Sequence, residues 1–380
     1  MTTAIAGVAE CDLGQTGRST LELQTQAITR ALADAGLTLA DVDGLATNAI
    51  GRFSTTTLAE YLGVRPSWVE SSYVGGSAFE KYLAAASQAI ESAQATVVVI
   101  SFASNQRSAR SRELRPLGEP ELPAAQFEEP FGALYPISYY AMVAQAYLRR
   151  YGGTRRDLAA VAVAAREWAL RNPAAFRYRA GPLTVADVLG AEPISSPLTT
   201  ADCCLVTDGG GAVVLTSIAQ ARDLRRAPVR VLGYGESTSH AGMAARADIL
   251  DTGGDRSAAA AFTRAGLTPA DVDLAMIYDS FTIAPLIALE ALGFCAPGEA
   301  GAFVAEGHTG PGGRLPMNTN GGGLSYCHPG QYGVLLLVEA VRQLRGSCGA
   351  RQVPGAEIAL AHGTGGIFSH SATVLLGRDQ

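Results

Sequence analysis

An α/β protein made of two related halves is what three observations in this 380-residue sequence predict. The first is an internal repeat: residues 31–43, ALADAGLTLADVD, return ungapped as residues 261–273, AFTRAGLTPADVD. The second is the alternation of helix-like and strand-like stretches around both copies. The third is composition, since 48% hydrophobic and 17% charged residues supply a large core and exclude a disordered chain. A repeat far longer than about 50 residues points to duplicated layers rather than a solenoid.

In chain order, the opening MTTAIAGVAECD lacks the basic start and long apolar core of a signal peptide and reads as a first strand. In each repeat copy a helical pattern stops at a glycine, Gly36 or Gly266. Thr38 and Thr268 then open short acidic turns, and residues 44–47 and 274–278 read as strands. Further on, residues 82–90 and 332–344 read as helices that lead to strands at 96–102 and 357–361. Residues 107–129 are rich in charge and proline (Arg115, Pro116, Pro120, Pro123, with Pro130 just beyond) and read as a surface excursion. Helices at 138–151 and 155–171 follow, then loop-rich residues 173–198. The whole excursion, 107–198, is expected to shape a substrate pocket. Residues 200–215 resume the first half as a glycine-rich approach to a buried strand. Residues 1–106 with 199–220 therefore form one half, and 221–380 the other.

Composition narrows the function classes. A net charge of −6 argues against non-specific nucleic-acid binding. No apolar run approaches the roughly 18 residues that span a bilayer. Six scattered cysteines suit a reducing compartment, and a cytoplasmic location is expected. Lys81 is the only lysine, so any Schiff base would have to form there, and its apolar setting reads as a side chain reaching from a helix to solvent. The five histidines (240, 308, 328, 362 and 370) show no i, i+4 spacing with carboxylates, and no metal site is expected.

Residues 318–330, NTNGGGLSYCHPG, carry the richest chemistry. Three glycines permit a tight turn, and a proline suits a helix start. The segment should deliver Tyr326 and His328 to the first turn of a buried helix. Unpaired N–H groups there suit a developing anion.

Over nearly the whole chain these segments resemble the thiolase superfamily, in its sterol-carrier-protein-type, thiolase-like branch. The resemblance rests on the duplication, on YGGTRRDLAAVAVAAREWALRNPAAF with the later LTVADVL, and on DCCLVTDGGGAVVL. It rests also on YDSF, the HPG loop and the closing AHGTGGIFSHSATVLL. It implies a five-layer αβαβα thiolase fold, a homodimer and an acyl-CoA thioester substrate. The departures matter as much. Where condensing members have a nucleophilic cysteine, residues 73–79 read YVGGSAF, with Gly75 or Gly76 in its place and Ser77 next. The place of the second cysteine holds His362, or Ala361 if the loop shifts by one. An Asn-Glu-Ala-Phe motif becomes Tyr278-Asp279-Ser280-Phe281.

Without the first cysteine no acyl-enzyme forms in the ordinary way. Ser77 lacks a Gly-x-Ser-x-Gly elbow and reads as a helix cap. The pattern is similar to a subgroup, the lipid-transfer-protein aldolases of steroid side-chain degradation. That resemblance implies a lyase performing retro-aldol cleavage of a β-hydroxyacyl-CoA to a ketone or aldehyde and a shorter acyl-CoA. It also implies a small OB-fold/zinc-ribbon partner that binds acyl-CoA, in a heterotetramer, and no cofactor beyond the CoA of the substrate. Tyr278 and Tyr326 are expected to share proton transfer, with His328 and the helix start holding the enolate oxygen. His362, Gly76, Ser77 and Asp279 are the expected supporting or substrate-binding residues. Two alternatives stand beside this reading: a condensing or thiolytic enzyme using Cys327, and a non-catalytic thiolase-fold subunit that binds acyl-CoA.

Overall fold

A computed structural model describes residues 3–113 and 120–379, so Arg115 and Pro116 lie outside the described residues. The repeat organises it. Helix Thr20–Ala35 starts at Ser19, which forms a capping box with Glu22, and stops at Gly36 with φ +81°. Its counterpart Gly254–Ala265 stops at Gly266 with φ +67°. One-turn helices Leu39–Asp41 and Pro269–Asp271 follow, each closed by a Thr–Asp capping box. Asp43 then accepts the N–H groups of Thr96 and Val97, at 2.8 Å each. Asp273 accepts those of Glu357 and Ile358, again at 2.8 Å. One carboxylate thus ties the same pair of strands together in each half.

The strands are β1 (Thr3–Glu10), β2 (Gly44–Ala46), β3 (Trp68–Glu70), β4 (Val98–Ser104), β5 (Pro193–Ser195), β6 (Leu198–Thr199), β7 (Gly209–Ser217), β8 (Val229–Thr238), β9 (Leu274–Ile277), β10 (Ile358–Gly365) and β11 (His370–Arg378). Nine of them form one sheet in the order β3-β2-β4-β7-β1-β8-β11-β10-β9, and β5 with β6 makes a separate ribbon. Counting outward from the β1–β8 seam, β7, β4 and β2 correspond to β11, β10 and β9. Among the described strands β3 has no counterpart, and a single parallel bridge, Ala275↔Met317, takes the matching place beside β9. The seam is narrow, with only Ala4↔Arg230 and Ile5↔Val229 in register.

Helices Ala78–Glu91 and Gly333–Leu344 pack against each other between the half-sheets. The second is buried along nearly its whole length and touches β1, β4 and β7 on one side and β9, β10 and β11 on the other. The outer helices Thr20–Ala35 and Gly254–Ala265 cover the far faces, against β1, β7 and β4 and against β8 and β11. Five layers result, αβαβα, as in the thiolase fold.

The excursion contributes helices Ile137–Tyr151 and Arg155–Ala169, the latter started by Thr154 and Asp157. Their apolar faces join Phe281, Ile283 and Leu286 of the second half in one core cluster. This placement brings Tyr140 over the end of β9. Among the described residues no helix is long and apolar enough to cross a membrane.

Candidate active site

Tyr278 lies just past the end of β9, and its N–H is held by the carbonyl of His362 on β10 at 3.0 Å. Beside β9, the Asn318 side chain acts as a surrogate strand, bonding both the N–H and the C=O of Ile277 at 2.8 Å. The chain then makes a single π-turn, Gly322–Tyr326. Asp279 organises it by accepting the N–H groups of Gly323 at 2.6 Å and Leu324 at 3.3 Å. Gly322, at φ +65°, is required because a Cβ there would lie 2.0 Å from the Asp279 carboxylate.

After this turn His328 is fixed at both backbone ends. Its N–H donates to Thr207 at 3.0 Å, and its carbonyl accepts from Gln106 at 2.8 Å. The imidazole Nε2 meets the Tyr278 hydroxyl at 3.0 Å, and the Tyr332 N–H, at the start of the buried helix, donates to the same hydroxyl at 3.2 Å. Burial raises the Tyr278 phenol well above its usual value, opposed by the Tyr332 N–H and the charge of Arg112. Burial, with Arg112 adding to it, pushes His328 down to about 3. At neutral pH the pair is therefore phenol and uncharged imidazole.

Both rings face a cavity of about 360 Å³, walled further by Gly76, Arg112, Tyr140, Ser280 and Thr364. Gly76 occupies a telling position. A Cβ there would sit 2.2 Å from Cε2 of Tyr278 and 2.7 Å from the Thr364 carbonyl oxygen, so the tyrosine ring and the β10 backbone together fill the space that a side chain at 76 would need. His370 also lines the cavity. Its Nδ1 bonds the fully buried hydroxyl of Ser77 at 2.8 Å, and its Nε2 faces Glu236 at 3.3 Å.

Four expected site residues are placed elsewhere. Tyr326 is 1% exposed and absent from the cavity wall; its hydroxyl donates to Glu10 at 2.7 Å. Glu10 in turn pairs with Arg342. The π-turn causes this, because it winds the glycine run inward and turns Tyr326 away from His328. Asp279 serves the π-turn rather than the cavity, with its carboxyl pushed up to about 7 by burial. His362 points from β10 to Thr373, bonding it at 2.9 Å, and burial lowers it to about 4. Ser77 makes no cap bond, having given its hydroxyl to His370. Lys81 lies 3.8 Å from Glu236 instead of reaching freely into solvent.

Cys327 is buried against Thr207 at 3.2 Å, and burial pushes its thiol up to about 12. Burial therefore disfavours its thiolate, and Cys327 is not among the residues lining the cavity. Sequence reasoning missed Tyr140, Thr364, Arg112 and His370. Ser280, Thr364 and His370 lay inside family motifs, whereas nothing marked Tyr140, on a helix read only as pocket-shaping.

Over nearly its whole length the chain is similar to known proteins. A lyase of Mycobacterium tuberculosis, named 17-hydroxy-3-oxo-4-pregnene-20-carboxyl-CoA lyase, is 37% identical over 95% of this chain and 96% of its own. A steroid side-chain-cleaving aldolase of Thermomonospora curvata is 35% identical over 99% of this chain and 98% of its own. The chain belongs to the steroid side-chain-cleaving aldolases of the thiolase superfamily. A family description, thiolase C-terminal domain-like, matches residues 235–378. The solved structure of an Ltp2-ChsH2(DUF35) aldolase superposes with a TM-score of 0.91 at 34% identity, covering 100% of this chain and 98% of that one. In this chain the Tyr278–His328 pair and Gly76 stand together at the cavity, and Cys327 is not among the residues that line it.

Proposed function

We infer that the chain cleaves a β-hydroxyacyl-CoA by a retro-aldol reaction, on a steroid substrate like that named for its mycobacterial relative. In such a thioester the hydroxyl at carbon 17 is β to the carbonyl. Breaking the bond between that carbon and carbon 20 leaves a 17-ketosteroid and the enolate of propionyl-CoA. The observation that carries the reading is the Tyr278 hydroxyl held between His328 Nε2 at 3.0 Å and the Tyr332 N–H at 3.2 Å.

In this reading Tyr278 takes the β-hydroxyl proton while passing its own to His328. The proton then returns along the same path to the α-carbon of the enolate. Both shifts oppose charge separation, since phenolate and imidazolium are each disfavoured. Proton movement is therefore concerted with C–C cleavage, and the enolate forms only where its oxygen is already solvated by protein donors. No covalent intermediate is involved.

A homodimer and a small acyl-CoA-binding partner complete the proposal. Support for the partner comes from the Ltp2-ChsH2(DUF35) aldolase, whose name joins two components. Support for the dimer comes from the sheet: β3 leaves one edge open with Val69 exposed, whereas residues 316–318 cover the edge of β9.

The test is to incubate the chain, alone and with the partner, with 17-hydroxy-3-oxo-4-pregnene-20-carboxyl-CoA and to follow both products by mass spectrometry. Formation of the ketosteroid and propionyl-CoA in equal amounts, undiminished by prior iodoacetamide treatment, is the expected result. Alkylation that abolishes turnover, with protection by acyl-CoA, would instead favour a cysteine mechanism. With a neutral pair at rest, Tyr278 and His328 should add no titration of their own to kcat/KM between pH ~5 and ~9.

A further inference from the structure

One wall of the cavity carries polar groups that the proton relay does not use. Tyr140 comes from helix Ile137–Tyr151, Ser280 follows β9, and Thr364 lies near the end of β10. All three line the cavity. Their residues are 3%, 8% and 4% exposed respectively. The Ser280 and Thr364 hydroxyls stand beside that of Tyr140, close enough to act as its donors, and neither has a further partner among the described residues. The one contact of the Tyr140 hydroxyl to a main-chain acceptor, Gly366 C=O, is long at 3.4 Å. Leaving buried hydroxyls unmatched costs free energy, so a group that spends part of the cycle in the cavity is the natural partner.

The ring of Tyr140 is held between Phe281, at 4.5 Å between centroids, and Phe368, at 4.9 Å. Strands β9 and β10 run parallel, so Ser280 and Thr364 come from neighbouring strand ends, where crevices in α/β sheets form. The cluster is thus rigid before any ligand arrives. Its hydroxyls are neutral donors, with the Tyr140 phenol raised by burial. They suit an oxygen that gains negative charge without taking a proton.

We propose that Tyr140, Ser280 and Thr364 form the binding site for the thioester carbonyl oxygen, which becomes the enolate oxygen on cleavage. The relay pair is then left free for the β-hydroxyl. The cluster thereby moves the enolate-holding role from His328 to three hydroxyls elsewhere on the cavity wall. This inference rests on the acyl-CoA aldolase reading above.

Two analogues separate the inference from that reading. One is 3-oxo-4-pregnene-20-carboxyl-CoA, which lacks the 17-hydroxyl and cannot be cleaved. The other is its thioether, with CH₂ replacing the carbonyl. Both are titrated into the full chain, purified from cells that co-express the small partner. Wild-type protein should bind the thioester about tenfold more tightly than the thioether. In the Ser280→Ala/Thr364→Val double variant, and separately in Tyr140→Phe, this preference should shrink toward unity while the thioether Kd stays the same. A preference preserved in both folded variants, or absent from the wild type, overturns the hydroxyl site alone. Wild-type protein that binds neither analogue overturns the acyl-CoA reading and this inference with it.

Discussion

The hydroxyl of Tyr278 receives two hydrogen-bonding neighbours, and that of Tyr326 donates into an ion pair. This contrast separates two tyrosines that looked equivalent in sequence. Tyr278→Phe should lower kcat at least ~100-fold while leaving the fold intact, because it deletes the atom that meets both His328 and the Tyr332 N–H. Tyr326→Phe should keep kcat within a few-fold. It should instead lose about 1–2 kcal/mol of stability by denaturant titration, since Glu10 forfeits a buried donor. Loss of turnover in Tyr326→Phe at unchanged stability would restore the two-tyrosine scheme. The motif around Tyr278 was legible because the family resemblance placed it on a loop facing the site. The direction of Tyr326 was not legible, because a π-turn reverses the facing of residues that sequence spacing alone would put beside His328.

At the scale of elements, the repeat predicted which helices and strands correspond, and the Asp43 and Asp273 clamps show why that signal was strong. Each acid sits where its carboxylate must bond the next strand, so its position in sequence is tied to topology. The ends of elements were less legible. Strand β10 runs to Gly365, beyond the expected residue 361, because β11 pairs with it along its full length. The excursion's role in the cavity became visible only once its helices docked on the second half, a long-range event that local periodicity does not report.

The contact between Gly76 and the Tyr278 ring also belongs to this scale, since it joins a helix start to a strand end. Gly76→Ala should destabilise the protein by about 1–3 kcal/mol and displace the ring, lowering kcat. In a Tyr278→Ala background the same substitution should cost less stability, the remainder reflecting the Thr364 carbonyl 2.7 Å from the added Cβ. A double-mutant cycle by thermal denaturation measures this coupling. Additive effects would mean that the ring moves aside freely.

For the whole molecule, the central helix pair carries a hidden acid. Glu80 is 1% exposed, neither carboxyl oxygen has a partner, and burial pushes it up to about 8. The folded state therefore holds a proton that the unfolded chain releases near its ordinary value. This contribution to stability is fully present at low pH and is lost as pH rises from ~4.5 through ~8. Glu80→Gln should remove the decline and raise Tm by roughly 2–5 °C at pH 8, with little change at pH 5. Scanning calorimetry at the two pH values checks it, and equal Tm shifts at both would show that Glu80 is ionised throughout.

The shared space of Gly76 and Tyr278 also orders history. A side chain at 76 and the ring at 278 cannot both keep their present places, so an exchange of a thiol at 76 for a phenol at 278 would proceed most easily by emptying one position before filling the other. A glycine with a small neighbour is a passable halfway point; a thiol beneath the ring is not. Reversal meets the same gate. Placing cysteine at 76 without first removing the tyrosine should yield neither chemistry.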